Sequence, residues 1–261
     1  MFQKTQFRQL SEELVEPLRQ TELIVRSYLQ ALSFIVQDAG RDPKYLTEHL
    51  LSYLAQDLIQ STVAITSLAM EGMISVAKRE LRFIIESSIK LCYVQQRADR
   101  ATTVAAKLAQ FDSELSSQRI SIKNNIDLSM LPEPLRADYQ DEVGRLYGLT
   151  SGYVHLTPTQ IGERIAAVDA GRTVGNETAG DILELNRVTE RALAASLVLI
   201  FHSVPEFVAG DWLVESDGAT VAWYFAGSRF IAAMDAHFDC KHERQARVVR
   251  IQADRSANIR F

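Results

Sequence analysis

The sequence predicts an all-α protein, a helical bundle with additional helices at its N- and C-terminal ends. Two observations carry that expectation. In at least five segments apolar residues recur at the 3.6-residue spacing of a helix that buries one face. Breakers are sparse: 12 glycines and 6 prolines punctuate 261 residues, too few turns for a many-stranded sandwich. With 47% hydrophobic residues there is ample material for a core.

The elements follow in order. A first helix is expected over 17–38, where Pro17 suits a first-turn position whose N–H has no helical acceptor, and Ile24, Tyr28, Leu32 and Ile35 line one face. Gly40 stops it. Thr47 is a good N-cap for a second helix striped by Leu50, Leu51, Leu54, Leu58, Ile65 and Leu68. After Gly72 a third helix places Ile74, Ala77, Leu81, Ile84, Ser88 and Leu91 on one side, and Arg79, Arg82, Glu86 and Lys90 on the other. Asp99 caps a fourth, holding Val104, Leu108 and Phe111. The polar, broken stretch 116–134 reads as a long connection, and such connections often carry function. A fifth helix spans 134–154, a short one follows Pro158, and the glycine-rich 171–180 is a loop. A long helix covers 181–202 up to Pro205, and a last one covers 219–237.

Charge and cysteine usage exclude several classes. The net charge is −5 and the pI about 5.6, which argues against a protein that coats nucleic acid by bulk charge. The charge is uneven, since residues 240–261 hold six basic side chains against two acidic ones. Cys92 and Cys240 form no CxxC pair, and no disulfide framework is indicated. The opening MFQKTQFRQL has no apolar signal core, and the longest charge-free apolar run, 192–204, is short of the ~20 residues a bilayer needs. A cytoplasmic location and no membrane contact are expected. The glycines at 171, 175 and 180 lack the GK[ST] ending of a phosphate loop, no GxSxG occurs, and no cofactor is expected.

Three constellations stand out. In the fifth helix Tyr147, Ser151 and His155 recur every four residues and share a face. Gly144, Gly148 and Gly152 form a bare strip beside them, at a cost of about 1 kcal/mol each relative to alanine. Such a helix either packs tightly with a capping histidine at its end or gains close approach to a ligand. On the third helix Arg82 and Glu86 are an i,i+4 pair, with Arg79 one turn earlier. They read either as a solvated salt bridge or as an anion-binding arginine oriented by a carboxylate. The third, DAHFDCKH, crowds His237, Asp239, Cys240 and His242 too closely for a zinc pattern, so no metal is expected. His202 reads as a core or helix-end histidine and His49 as an exposed one. Trp223, Tyr224, Phe225 and Phe230 read as core or as an oligomer contact.

Two segments resemble a known family. ELRFIIESSIKLCYV (80–94) resembles an arginine-and-glutamate helix of HEPN-superfamily proteins, and RLYGLTSGYVHLTP (145–158) resembles their later helix that ends in a histidine. The likeness covers roughly 50–168. It implies a HEPN-like helical bundle over 45–205, with an N-terminal helix in 1–44 and a C-terminal helix and basic tail in 206–261. HEPN proteins are commonly dimeric, and many are metal-independent ribonucleases of toxin–antitoxin and phage-defence systems. The resemblance therefore implies RNA as ligand, a homodimer, and a cognate partner protein. Carried over, the catalytic histidine is His155. The arginine that active members place shortly before it is absent, since Gly148, Leu149 and Thr150 occupy those positions. Arg82, oriented by Glu86, would replace it from another helix, with Arg79, Arg145, Tyr147 and Ser151 contacting substrate. The alternative is a non-catalytic helical interaction or regulatory module.

Overall fold

The computed structural model describes residues 11–97, 103–115, 120–155, 157–171 and 177–261. The helices are α1 (Glu12–Ala39), α2 (Tyr45–Glu48), α3 (Leu51–Met70), α4 (Ile74–Arg97), α5 (Val104–Leu115), α6 (Glu133–Val154), α7 (Pro158–Asp169), α8 (Ala179–Ser203), α9 (Glu206–Leu213), α10 (Arg229–His237) and α11 (Val248–Asn258). Short 3₁₀ turns lie at Ile120–Asn125, Tyr224–Gly227, Phe238–Cys240 and His242–Arg244. Among the described residues there is no strand, only an isolated antiparallel bridge between Val214 and Thr220. The fold is all-α, as its periodicity predicts. Among the described residues no helix is long and apolar enough to cross a membrane.

The axis of the molecule is α8. A capping box fixes its start: the Thr178 hydroxyl accepts from the Asp181 N–H, and the Asp181 carboxylate accepts from the Thr178 N–H. From Ala192 to Ser203 every residue is buried, as expected of a helix apolar all round and enclosed by others. Helices α1, α4, α6 and α10 pack around it, and α3 fills the space against α1 and α4. A buried hydroxyl relay sets the register of three of them. Tyr28 of α1 lies 2.9 Å from Ser196 of α8, which lies 2.7 Å from Ser88 of α4, and Ser88 donates to the Ile84 carbonyl at 2.8 Å. Each hydroxyl can donate once along that chain, so none is left unsatisfied.

Several boundaries differ from expectation. The first helix begins at Glu12, with Pro17 inside it; the Pro17 carbonyl accepts from Asn186 Nδ2 at 2.8 Å, so tertiary bonding holds the turn around the proline. The second expected helix is split, with α2 ending at an extended His49. His49 is buried rather than exposed: its Nδ1 accepts the Leu51 N–H at 3.0 Å at the start of α3, whose N-cap position is Leu50 rather than Thr47. The expected cap Asp99 lies outside the described residues, and Leu108 of α5 is exposed. The helix expected over 219–237 is confined to Arg229–His237, because the aromatic run before it is pinned in place: Trp223 Nε1 donates to the Ser27 carbonyl at 2.9 Å and its ring meets Trp212 edge-on. Helices α9 and α11 have no counterpart in the sequence reading.

The basic C-terminal segment is folded rather than trailing. Arg244 is fully buried and Arg255 nearly so, and both donate to the buried carboxylate of Asp235, at 2.5 and 2.6 Å. Asp239 accepts from the same two arginines. Gly218 closes the turn against this unit at φ +85°; a Cβ there would stand 2.3 Å from the Glu243 carbonyl oxygen. Asp239 of the crowded DAHFDCKH run is thus engaged in ion pairs, and His237 shares a hydrogen bond with Glu206 at 2.8 Å.

Candidate functional site

Helices α4 and α6 run antiparallel, and their seam gathers most of the polar residues singled out in the sequence. Arg82 sits in α4 on the flank of the apolar stripe, which turns it into the interface, where it is 7% exposed. Its Nε donates to Ser151 Oγ at 2.8 Å and its NH1 to Glu86 at 2.5 Å. Its guanidinium carbon stacks 3.3 Å from the centroid of the Tyr147 ring. The Ser151 hydroxyl in turn donates to the Tyr147 carbonyl at 2.6 Å. Glu86 also receives Lys90 at 2.5 Å. Burial alone would raise the Glu86 carboxyl, but Lys90 and Arg82 outweigh it and hold the group below the ordinary carboxylate value. Burial pushes the Tyr147 hydroxyl up, against the opposing pull of Arg82.

One turn further along the seam, Arg79 Nε donates to the Tyr153 carbonyl at 2.6 Å. Lys78 donates to the Tyr153 hydroxyl at 2.9 Å, and that hydroxyl donates to Glu163 of α7 at 3.0 Å. The side chains of α4 thereby fix the end of α6 and the start of α7. The joint is short: His155 is the C-cap of α6, with its N–H on the Ser151 carbonyl, and Thr157 is the N-cap of α7, with its hydroxyl accepting from Gln160.

Arg82, Glu86, Tyr147 and Ser151 therefore form one cluster, with Arg79 beside it. His155 is exposed at the joint one turn beyond Ser151, and its ring has no hydrogen bond to a described residue. Arg145 stands apart. It lies two residues before Tyr147, near the opposite side of a 3.6-residue helix, and pairs with Glu142 at 3.2 Å. Glu142 in turn receives Arg191 of α8 at 2.6 Å. Among the described residues the glycine strip packs against no neighbouring α-helix. Gly148 has nothing within 4 Å of where a Cβ would stand, Gly152 only the Thr157 hydroxyl at 3.8 Å, and Gly144 only the Lys123 side chain.

The sequence reading passed over Phe83 and Tyr153. Phe83 is 42% exposed. Its position was a signal: Arg79, Phe83, Glu86 and Lys90 recur at helical spacing, and an aromatic ring falls among charges rather than on the apolar stripe. Among the described residues no group of His, Cys, Asp and Glu is arranged to hold a metal ion.

No protein-family model matches this chain, and neither the curated proteins nor the solved structures contain a match.

Proposed function

We propose that the α4–α6 seam binds single-stranded RNA and that the protein is a HEPN-like RNA-directed component of a bacterial defence or toxin–antitoxin system. Phe83 is the observation that carries this reading. An aromatic ring left 42% exposed on the same helical face as Arg79 and Lys90 offers a stacking platform with cations on either side. Among the described residues Arg79 bonds only through its Nε, to the Tyr153 carbonyl, so its terminal nitrogens can meet a phosphate. The resemblance in 80–94 and 145–158 supports the same seam.

Cleavage would proceed without a metal. The ribose 2′-oxygen attacks the adjacent phosphorus, and the exposed imidazole of His155 takes the hydroxyl proton. The bond to the 5′-oxygen breaks, leaving a 2′,3′-cyclic phosphate, and the departing 5′-oxygen takes a proton from water to leave as a hydroxyl while His155 returns its own to solvent. Arg79 and Arg82 offset the charge that builds on the phosphorane oxygens. The working form is a homodimer, with a cognate protein as a further partner.

A second reading, a non-catalytic interaction module, is favoured by Arg82. It is committed to Ser151, Glu86 and Tyr147 and lies nearly buried, so it rivets two helices together with no ligand needed. One experiment separates the two. Fluorescently labelled single-stranded RNA is titrated with the protein in EDTA, and its length is followed on a gel. Salt-dependent binding with cleavage that His155→Ala abolishes supports the ribonuclease. Binding without cleavage leaves an RNA-binding module, and no binding at low salt removes RNA from the proposal.

A further inference from the structure

Away from the α4–α6 seam, a cavity of about 440 Å³ opens between α2, the end of α4, α5 and the end of α8. That volume lies in the range of small-molecule sites. Its walls are tied together by their own polar groups. His49 Nε2 donates to the Ser203 carbonyl at 2.7 Å while its Nδ1 accepts from Leu51. His202 Nδ1 donates to the Val198 carbonyl at 2.7 Å while its Nε2 accepts the Met130 N–H at 3.2 Å. Gln96 donates to the Asp127 carbonyl and accepts the Asp127 N–H. Both histidines are thus neutral and satisfied on both ring nitrogens, and the cavity is held open by a framework that needs no ligand.

Two wall atoms do not share in this. The Tyr45 hydroxyl belongs to a side chain only 3% exposed, and Glu48 Oε2 lies one helical turn away; both are buried without a hydrogen-bond partner. Only four such atoms occur among the described residues, and two of them flank this one cavity. Buried polar atoms are paired in the great majority of cases, so two orphans on the wall of one cavity point to a missing partner. The lining is also acidic in balance, with Asp42, Glu48, Asp127 and Glu206 against Lys44 and Lys107.

We propose that this cavity binds a small organic amine, whose ammonium group donates to Glu48 Oε2 and to the Tyr45 oxygen. A carboxylate oxygen can only accept, and a phenol oxygen retains lone pairs, so a group carrying several N–H donors and a positive charge suits both acceptors. The buried Lys107 ammonium donates to the Glu48 carbonyl and leaves Oε2 without a hydrogen bond; an anion would meet a wall that is acidic in balance, and a single hydroxyl offers one donor where two acceptors stand open.

The test is a calorimetric titration of the full chain with putrescine, with 1,4-butanediol as the uncharged analogue of the same length and ionic strength held constant with sodium chloride. Saturable binding of putrescine and none of the diol is expected. Glu48→Gln should weaken binding roughly tenfold or more, as loss of a charged hydrogen bond does. Tyr45→Phe should weaken it several-fold while leaving the melting temperature of the free protein unchanged or higher, because it deletes an orphan hydroxyl. Absence of saturable heat, equal binding of the diol, or unchanged affinity in both variants would overturn the proposal. Neither variant touches the α4–α6 seam, so RNA binding by that seam stands or falls separately.

Discussion

Arg82 sits over the ring of Tyr147, its guanidinium carbon 3.3 Å from the centroid, and the contact ties α4 to α6. The same guanidinium is bonded to Ser151 and Glu86, so a single side chain closes a stack, a hydroxyl bond and an ion pair. Arg82→Ala should destabilise the protein by about 2 kcal/mol, less than the loss of a fully buried pair because Glu86 retains Lys90 and some solvent. Arg82→Lys should recover only part of this, since an ammonium cannot stack and fork together. Urea denaturation of both variants measures it, and wild-type stability in Arg82→Ala would show that the seam is held by its apolar side alone.

If the seam binds RNA, Phe83→Ala should cost about 1–3 kcal/mol of binding free energy, the range for one base stacked on an aromatic ring. The ring is largely outside the core, so the melting temperature should hardly move. Anisotropy titrations of the two proteins side by side check this. Equal affinities would leave Phe83 as an incidental exposed aromatic and turn attention to a protein partner.

The outline of this site was legible because it obeys helical spacing. Tyr147 and Ser151 recur every four residues, Arg82 and Glu86 do the same, and the apolar stripe of α4 fixes which flank Arg82 turns inward. Arg145 follows the opposite rule, since its distance along the helix from Tyr147 carries it to the α8 side. His49 and the end of the chain were illegible for a different reason. His49 is buried by partners 154 residues away in sequence, at Ser203, and Trp223 by one 196 residues away, at Ser27. No local pattern announces such contacts. The ion network of Asp235 with Arg244 and Arg255 likewise turns a segment that reads as a basic tail into part of the folded body.

That network gives a second stability prediction. Asp235 is 1% exposed and its carboxylate meets Arg244 and Arg255 and the Thr220 hydroxyl. Asp235→Ala removes the shared acceptor and strands the fully buried Arg244 with Asp239 as its remaining carboxylate. A loss of about 4 kcal/mol is expected. Limited proteolysis should cut first within 214–261, and a variant that resists protease as the wild type does would show that the segment is held by Phe261 and the aromatic cluster instead.

Stability should fall with acid before the carboxylates titrate. Burial lowers the His202 pKa from 6.5 to about 4, since the protonated ring would lose its solvent and could no longer accept the Met130 N–H. A base whose pKa is depressed on folding binds fewer protons when folded than when unfolded. Its stabilising effect is complete above pH 6.5 and drains away as the pH falls toward 4. The total is on the order of 3 kcal/mol. Urea midpoints between pH 7 and 4 should decline in the wild type and flatten over that interval in His202→Gln, with an unchanged slope in the variant counting against His202 as the source.

Gly148 separates a monomer from a dimer by opposite signs. Among the described residues no neighbouring group lies within 4 Å of where its Cβ would stand, so within one chain a side chain there starts out in open space. Glycine is a poor helix former, and Gly148→Leu should therefore stabilise a monomer by about 0.7 kcal/mol. If instead a second copy lays its backbone along the strip of Gly144, Gly148 and Gly152, the leucine occupies the space of that backbone. Closely packed interfaces resist inserted methylenes, so the variant should then dissociate and lose RNA affinity with it. Light scattering over a micromolar concentration series, paired with thermal melts, reads both quantities. A wild-type monomer with a melting temperature raised by the leucine would end the dimer proposal and leave the strip as an exposed helix face.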